Sequence, residues 1–319
     1  MHLGPGRVIA AAEDLLLWCP SLVPWAGRWW LFHSRWPAAL GHRSWVTHST
    51  IGVCEGAAME GPFGASEEII VGDGGDGWNA GAFHNPMILA GHDRLWMFYM
   101  ANRGAARPGI AADEATWWEH RNRQRIGVAW ATDPRGPWTH LPQPILGPGN
   151  TPFPTIMASN PSAAFDRDGR VRLIFKCVEP GPAPFGGRVV HLIAEADRPA
   201  GPYRVLPEPV LTAPGVQFPA EDPTLWQAAH GWQVICKDMR GSFSGIGTSL
   251  VAFGSVDGRH WEPARPALVS GLTVAMADGS VRTFDKLERP SINPDRCHLV
   301  AAALTGERQE LLLFPLLPG

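Results

Sequence analysis

AEDPTLW, residues 220–226, sets Glu221 and Asp222 side by side before a proline and then turns apolar. Two carboxylates are costly to bury without partners, yet Thr224, Leu225 and Trp226 read as a strand heading inward. The pattern of a polar residue or two, Pro, then a small or apolar strand occurs five times: CPSLV from Cys19, NPMIL from Asn85, NPSAA from Asn160, DPTLW from Asp222 and RPSIN from Arg289. The spacings are 66, 75, 62 and 67 residues.

Each motif is followed by a turn and a second strand: AGRWWLFHS, GHDRLWMFYM, RDGRVRLIFK, HGWQVICKD and PDRCHLVAAAL. Four continue into a third strand, and three of these close on GPF (61–63), GPW (136–138) or GPY (201–203), the fourth on DGRHW (257–261). Two signatures recurring in phase mark an array architecture. A unit of about four short antiparallel strands repeated radially is a propeller blade. The expected fold is therefore all-β: a single five-bladed β-propeller over 1–319, with blades starting near 18, 84, 159, 221 and 288. The fifth blade looks short, and RVIAAAEDLLL near the N-terminus is a candidate for its closing strand.

Composition agrees. Hydrophobic residues make up 45% of 319, ample for a core, and 36 Gly with 31 Pro favour short strands and tight turns over long helices. A net charge of −3 gives no electrostatic case for nucleic acid or an anionic membrane. No run approaches the ~18 apolar residues of a spanning helix. The five cysteines are odd in number and mostly lie in apolar runs, which fits reduced, buried thiols. The N-terminus is a poor signal peptide, so the expectation is a cytoplasmic protein, the alternative being a trimmed export signal.

Strands alternate direction within a blade, so the connections after the second strands return to the face where the proline motifs begin. These include HSRWPAALGHRS, the long stretch 101–124, CVEPGPAPFGGR and KDMRGSFSGIG, whereas the opposite face has terse hairpins. Function usually sits on the elaborated loops of a rigid scaffold. The five motif starts are expected to converge on a central depression holding Trp18 and Cys19, His84 and Asn85, Ser159 and Asn160, Glu221 and Asp222, and Glu288 and Arg289. Polar groups below and Trp faces above suit a sugar.

In HNPMI (84–88), RIGVAWATDPRGPW (125–138), SNPSAAFDRDGRVRLIFK (159–176), AEDPTLW (220–226) and LERPSI (287–292), the chain resembles the five-bladed propeller glycoside hydrolases of families 43 and 117 and their uncharacterised relatives. The resemblance implies an exo-acting, inverting glycosidase that removes a terminal sugar from a small carbohydrate. It also implies a general base from an Asp in the first blade, an acid group opposite, and a further Asp that tunes the acid. This chain departs from that pattern: the first three motif positions are Cys19, Asn85 and Asn160, and its acids lie in blades four and five. The alternative is a degenerate propeller that binds carbohydrate or performs non-hydrolytic chemistry on a sugar-like metabolite.

Inverting hydrolysis needs a protonated acid and a carboxylate that activates water, roughly 6.5–9.5 Å apart. Asp222 or Glu221 with Glu288 are the expected pair, against the blander reading of a turn cap and a structural ion pair with Arg289. Adjacent strand residues face opposite sides, so Glu221 and Asp222 are not both expected to act. His84 is a candidate general acid, as the family 117 resemblance implies, or a ligand of a substrate hydroxyl, or else a supporting histidine or a ligand of an axial ion. Asn85, Asn160, Arg289, His33, Arg35, Lys176, Asp238 and Trp118 are candidate substrate contacts, each with a loop-supporting alternative. No cofactor is expected. Asp73 and Asp76 in VGDGGDG lack a full calcium ligand set, though a structural calcium remains an alternative, and no Cys/His spacing suggests zinc.

Overall fold

A computed structural model describes residues 1–104 and 109–319. Five antiparallel sheets run from the axis outward in chain order. Blade one comprises Leu15–Trp25, Arg28–Pro37, Thr50–Gly56 and Glu67–Ile70, and blade two Phe83–Gly91, Arg94–Ala101, Arg125–Ala131 and Thr139–His140. Blade three comprises Met157–Phe165, Val171–Val178, Val189–Ala196 and Arg204–Val205, and blade four Ala220–Ala228, Gly231–Asp238, Ser249–Ser255 and Glu262–Ser270. Blade five has Lys286–Ile292, His298–Thr305 and Arg308–Leu317, and is completed by the N-terminal strands Arg7–Ala10 and His2–Leu3, both antiparallel to Arg308–Leu317. The N-terminus thus closes the ring, as the short last blade demanded, and inner strands of successive blades touch all the way round.

Strand alternation builds the core between blades. In blade three Leu173 and Phe175 pack with Trp96, Phe98 and Ile126 of blade two, while the intervening Ile174 joins Leu225 and Val234 of blade four. In blade five Val300 and Ala302 face blade one, and Leu299, Ala301 and Ala303 face blade four. A period of two therefore buries both faces of every central strand.

The proline motifs interrupt that period. Proline cannot donate to the ladder, and each inner strand shifts register across it, between Trp18 and Ser21, His84 and Met87, Ser159 and Ser162, Glu221 and Thr224, and Glu288 and Ser291. The residue before each proline is left-handed, with φ of 54° at Cys19, 54° at Asn85, 53° at Asn160, 56° at Asp222 and 55° at Arg289. For residues other than glycine this conformation costs roughly 1–2 kcal/mol each, and five such residues gather at one point. After the bulge the blades are stitched together: Ser21 Oγ accepts from Ile88 N at 3.0 Å, Ser162 Oγ from Leu225 N at 2.9 Å and Thr224 Oγ1 from Ile292 N at 2.9 Å.

The long connections lie on the expected face and are more ordered than their composition suggests. Trp45–His48 forms a short helix, α1, and Glu114–Asn122 forms α2, where Asp113 Oδ1 caps the end by accepting from Thr116 N at 2.7 Å. ATWWEHR is therefore helical, and positions 105–108 of the same connection lie outside the described residues. A hairpin of Thr273–Ala275 and Val281–Thr283 precedes blade five. Four cysteines are buried and Cys297 is exposed, all of them free thiols. No helix among the described residues is long and apolar enough to cross a membrane.

Candidate active site

The left-handed bulges turn five side chains toward the axis, where they make a continuous arc. The Cys19 thiol donates to Asn85 Oδ1 at 2.5 Å, Asn85 Nδ2 to Asn160 Oδ1 at 2.9 Å, and Asn160 Nδ2 to Asp222 Oδ1 at 2.7 Å. From the other side Arg289 pairs with the same oxygen of Asp222. Two cationic or N–H partners thus converge on Oδ1, while the buried Oδ2 has no partner among the described residues. Below the arc, a cavity of about 40 Å³ is lined by the five prolines and their neighbours. The arc is the floor of the central depression.

Above it stand the residues one step earlier. Each is opposite a second-strand residue in its own sheet: Trp18 opposite Ser34, His84 opposite Met100, Ser159 opposite Lys176, Glu221 opposite Lys237 and Glu288 opposite Ala302. The side chains reach across to the following blade. Lys176 Nζ donates to Glu221 Oε1 at 2.5 Å, Lys237 Nζ pairs with Glu288, and in blade one Ser34 Oγ accepts from Asn85 N at 2.9 Å. Glu221 and Asp222 consequently both belong to the central network. The expectation from simple alternation fails because the left-handed turn at Asp222 resets the side-chain phase.

The electrostatics divide the three carboxyls. Burial pushes Asp222 up to about 7, helped by the charges of Glu221 and Glu288 and opposed by Arg289. Burial also pushes Glu221 and Glu288 up, but the lysines more than offset it: Lys176, Arg289 and Lys237 hold Glu221 well below the usual carboxylate range, and Lys237 and Lys286 hold Glu288 below it. One carboxyl pushed up and two held down is the division an acid–base pair requires.

His84 lies behind this group. Its Nε2 is 3.3 Å from Cys19 Sγ, its Nδ1 is 2.8 Å from Ser49 Oγ, and its ring stacks on Trp45 at 4.7 Å. Burial, with Arg289 and His42 nearby, holds it well below its ordinary value, so it is neutral. Burial pushes the Cys19 thiol up to about 12. Both ring nitrogens of the histidine are thus taken, by Cys19 and by Ser49.

Asn85, Asn160, Arg289 and Lys176 join the centre with the acids. His33, Arg35 and Asp238 do not. His33 bonds Leu31 O at 3.1 Å and Ser66 Oγ at 2.7 Å, and Arg35 Nη1 donates to Ser66 O at 2.7 Å, so both hold the approach to the outer strand of blade one. Asp238 accepts from the backbone N–H groups of Ser242, Phe243 and Ser244 and fixes the loop after its strand. The phase explains the difference: Lys237 reaches the neighbouring blade, so the next residue points elsewhere. Trp118 lies on α2, edge-on to Phe185 at 6.0 Å, and donates to Glu114. Sequence reasoning missed His42, Trp45 and Arg121. His42 Nε2 is 3.1 Å from Lys286 Nζ and Arg121 packs on Trp118 and Phe185. The Trp- and His-bearing loops that carry them were legible, but not which of their residues face inward. Among the described residues no group of three or more His, Cys, Asp or Glu could hold a metal ion.

A five-bladed propeller with a polar funnel on one face and a hydrogen-bonded floor defines the class of protein. No sequence family and no curated sequence matches the chain. Solved structures do. A glycoside hydrolase aligns with TM-score 0.70 at 11% identity, covering 98% of this chain and 90% of its own. A thermostable family-43 glycoside hydrolase aligns at 0.63 and 12%, covering 96% and 91%. A family 117 glycoside hydrolase from the marine bacterium Zobellia galactanivorans aligns at 0.62 and 14%, covering 99% and 90%. The likeness is one of fold, and the fold is the five-bladed propeller read from the repeats.

Proposed function

We propose that this protein is a glycoside hydrolase that takes the end of a small carbohydrate into the funnel and cleaves its terminal sugar with inversion. The observation that carries the reading is the gathering of three carboxyls at the axis, Asp222 bonded to Asn160 and Arg289, Glu221 to Lys176 and Glu288 to Lys237, with burial raising Asp222 and the lysines lowering the two glutamates. Asp222 Oδ1 accepts from Asn160 Nδ2 and pairs with Arg289, which leaves the unpartnered Oδ2 to carry the proton. Glu288, ionised beside Lys237 in the next blade, is the carboxylate that activates water. Glu221 keeps Asp222 protonated through its charge. A floor closed by five side chains supports end-on entry, hence exo action. Cys19 cannot act as the first-blade base, because burial keeps its thiol protonated.

The test is hydrolysis of aryl pyranosides and furanosides, neutral and acidic, by the wild type and by Asp222→Asn and Glu288→Gln, with the anomer of the product read by NMR. Turnover of one sugar, lost in both variants, with the inverted anomer appearing first, is expected. Sugar binding without turnover of any member would favour the degenerate, non-hydrolytic propeller.

A further inference from the structure

Arg121, in the last turn of α2, is 7% exposed and has no carboxylate within 4 Å among the described residues. Its guanidinium donates through Nη1 to two neutral oxygens, Asn122 Oδ1 at 2.8 Å and Phe185 O at 3.0 Å. It lies 5.1 Å from the ring centre of Phe185 and 5.5 Å from that of Trp118. Phe185 is 6.5 Å from Phe218, and Lys176 Nζ lies 5.8 Å from the ring centre of Phe218. The same two phenylalanines wall a cavity of about 500 Å³ that Arg240 also lines. Arg240 is exposed and its side chain makes no hydrogen bond or ion pair among the described residues. Three cations therefore surround two aromatic walls, and Glu221, held by Lys176, is the carboxylate that faces them.

The wider funnel repeats the imbalance. Arg121, Lys176, Lys237, Lys286 and Arg289, five cations, meet three carboxylates, Glu221, Asp222 and Glu288, in a chain whose net charge is −3. Buried charge is normally matched, so a nearly buried guanidinium left with neutral acceptors leaves positive charge for an anion to answer, and the fork of Arg240 suits a planar or tetrahedral oxyanion. The cavity falls in the size range of small-ligand sites, and its aromatic walls suit the apolar face of a pyranose.

We propose that this cleft binds the oxyanion of an acidic sugar, a carboxylate, sulfate or phosphate, with Arg240, which lines it, as the ligand, Arg121, stacked against Phe185, adding positive charge, and Phe185 and Phe218 as the ring platform. The proposal rests on the funnel being a sugar site and extends it to the charge of the sugar.

The experiment is calorimetric titration of the full chain with matched pairs: glucose against glucuronate, glucose 6-sulfate and glucose 6-phosphate, galactose against galacturonate, and free phosphate, sulfate and acetate alone. At least one acidic member is expected to bind about tenfold or more tightly than its neutral partner. That preference should weaken as salt rises to about 0.5 M. The acidic arms identify which oxyanion is taken, and the free anions show whether the sugar ring contributes. Arg121→Gln should reduce the preference to within about threefold. Should that variant fail to fold, Arg240→Gln, a surface change, should still lower it measurably. Equal affinity within every pair, an undiminished preference in Arg240→Gln, or no binding of any acidic sugar or free anion overturns the proposal. The failures are separable: a neutral glycoside hydrolysed with no acidic preference leaves the hydrolase standing and sinks this site. Acidic-sugar binding without hydrolysis does the reverse.

Discussion

Cys19 and Asp222 occupy equivalent places in blades one and four. Each precedes a proline, each is left-handed with φ of 54° and 56°, and each lies within a register shift of its inner strand. Their surroundings differ. The hydrogen-bond partners around Cys19 are Asn85, His84 and Ser34, all neutral, with Arg289 and Asp222 acting on it only through their charge, whereas Asp222 is directly paired with Arg289 and also feels the charges of Glu221 and Glu288. The strained backbone is common to all five blades and belongs to the architecture. The chemistry is added by side chains at the repeated positions, and here it is confined to one half of the ring. Strain at five sites marks where function can be built, and the proposed chemistry uses the charged ones.

The comparison can be broken by substitution. The largest effect is expected in the charged half, where Asp222→Asn and Glu288→Gln should each lower kcat/KM on a cleaved glycoside by about 10³-fold. Lys237→Met leaves Glu288 nearly buried without its partner and should cost about 3–5 kcal/mol of stability. The matched change in the neutral half, Ser34→Ala, removes an acceptor for Asn85 N and should cost about 1 kcal/mol. Urea unfolding of the two variants side by side measures the contrast. Smallest of all, Cys19→Ser keeps a donor to Asn85 Oδ1 and should change stability by less than about 1 kcal/mol, whereas a thiol acting in catalysis would make the same change abolish turnover.

The pH dependence sharpens the same contrast. Asp222 has its folded pKa raised, so its contribution to stability is fully present below the ordinary carboxylate range and is lost as pH rises through about 7. Glu221 and Glu288 are lowered, so theirs is present above the ordinary range and is lost as pH falls below it. Stability is expected to peak between the two limits, and Asp222→Asn should remove the decline on the alkaline side. The kcat/KM profile should instead fall as pH rises above about 7 and the acid loses its proton, beyond the interval in which stability declines.

Much of the fold was legible because a propeller repeats. The proline motifs, the GP turns and the period-two apolar strands recur in phase, and even closure by RVIA follows from a last blade one strand short. The gathering of Asn85, Asn160, Asp222 and Arg289 at the axis followed from the strand count alone. What could not be read was side-chain phase across the bulge, since the left-handed residue resets the alternation that separates Glu221 from Asp222. Nor could the pairing of Lys176 and Lys237 with acids of the next blade, which depends on the angle between sheets. His33, Arg35 and Asp238 lie close to site residues in sequence, but the side chains of His33 and Asp238 fall in the phase opposite to Ser34 and Lys237. Asp113 three residues before Thr116 was a helix-start signal hidden in an apparently irregular connection.

The most direct measurement is a carboxyl ¹³C NMR titration of Asp-labelled protein, with Asp222→Asn used to assign the resonance. A midpoint near 7 for Asp222 is expected, moving downward in Glu221→Gln as the neighbouring charge is removed. A resonance that remains that of an ionised carboxylate from about pH 5 upward would contradict the division of protons on which the proposed chemistry depends.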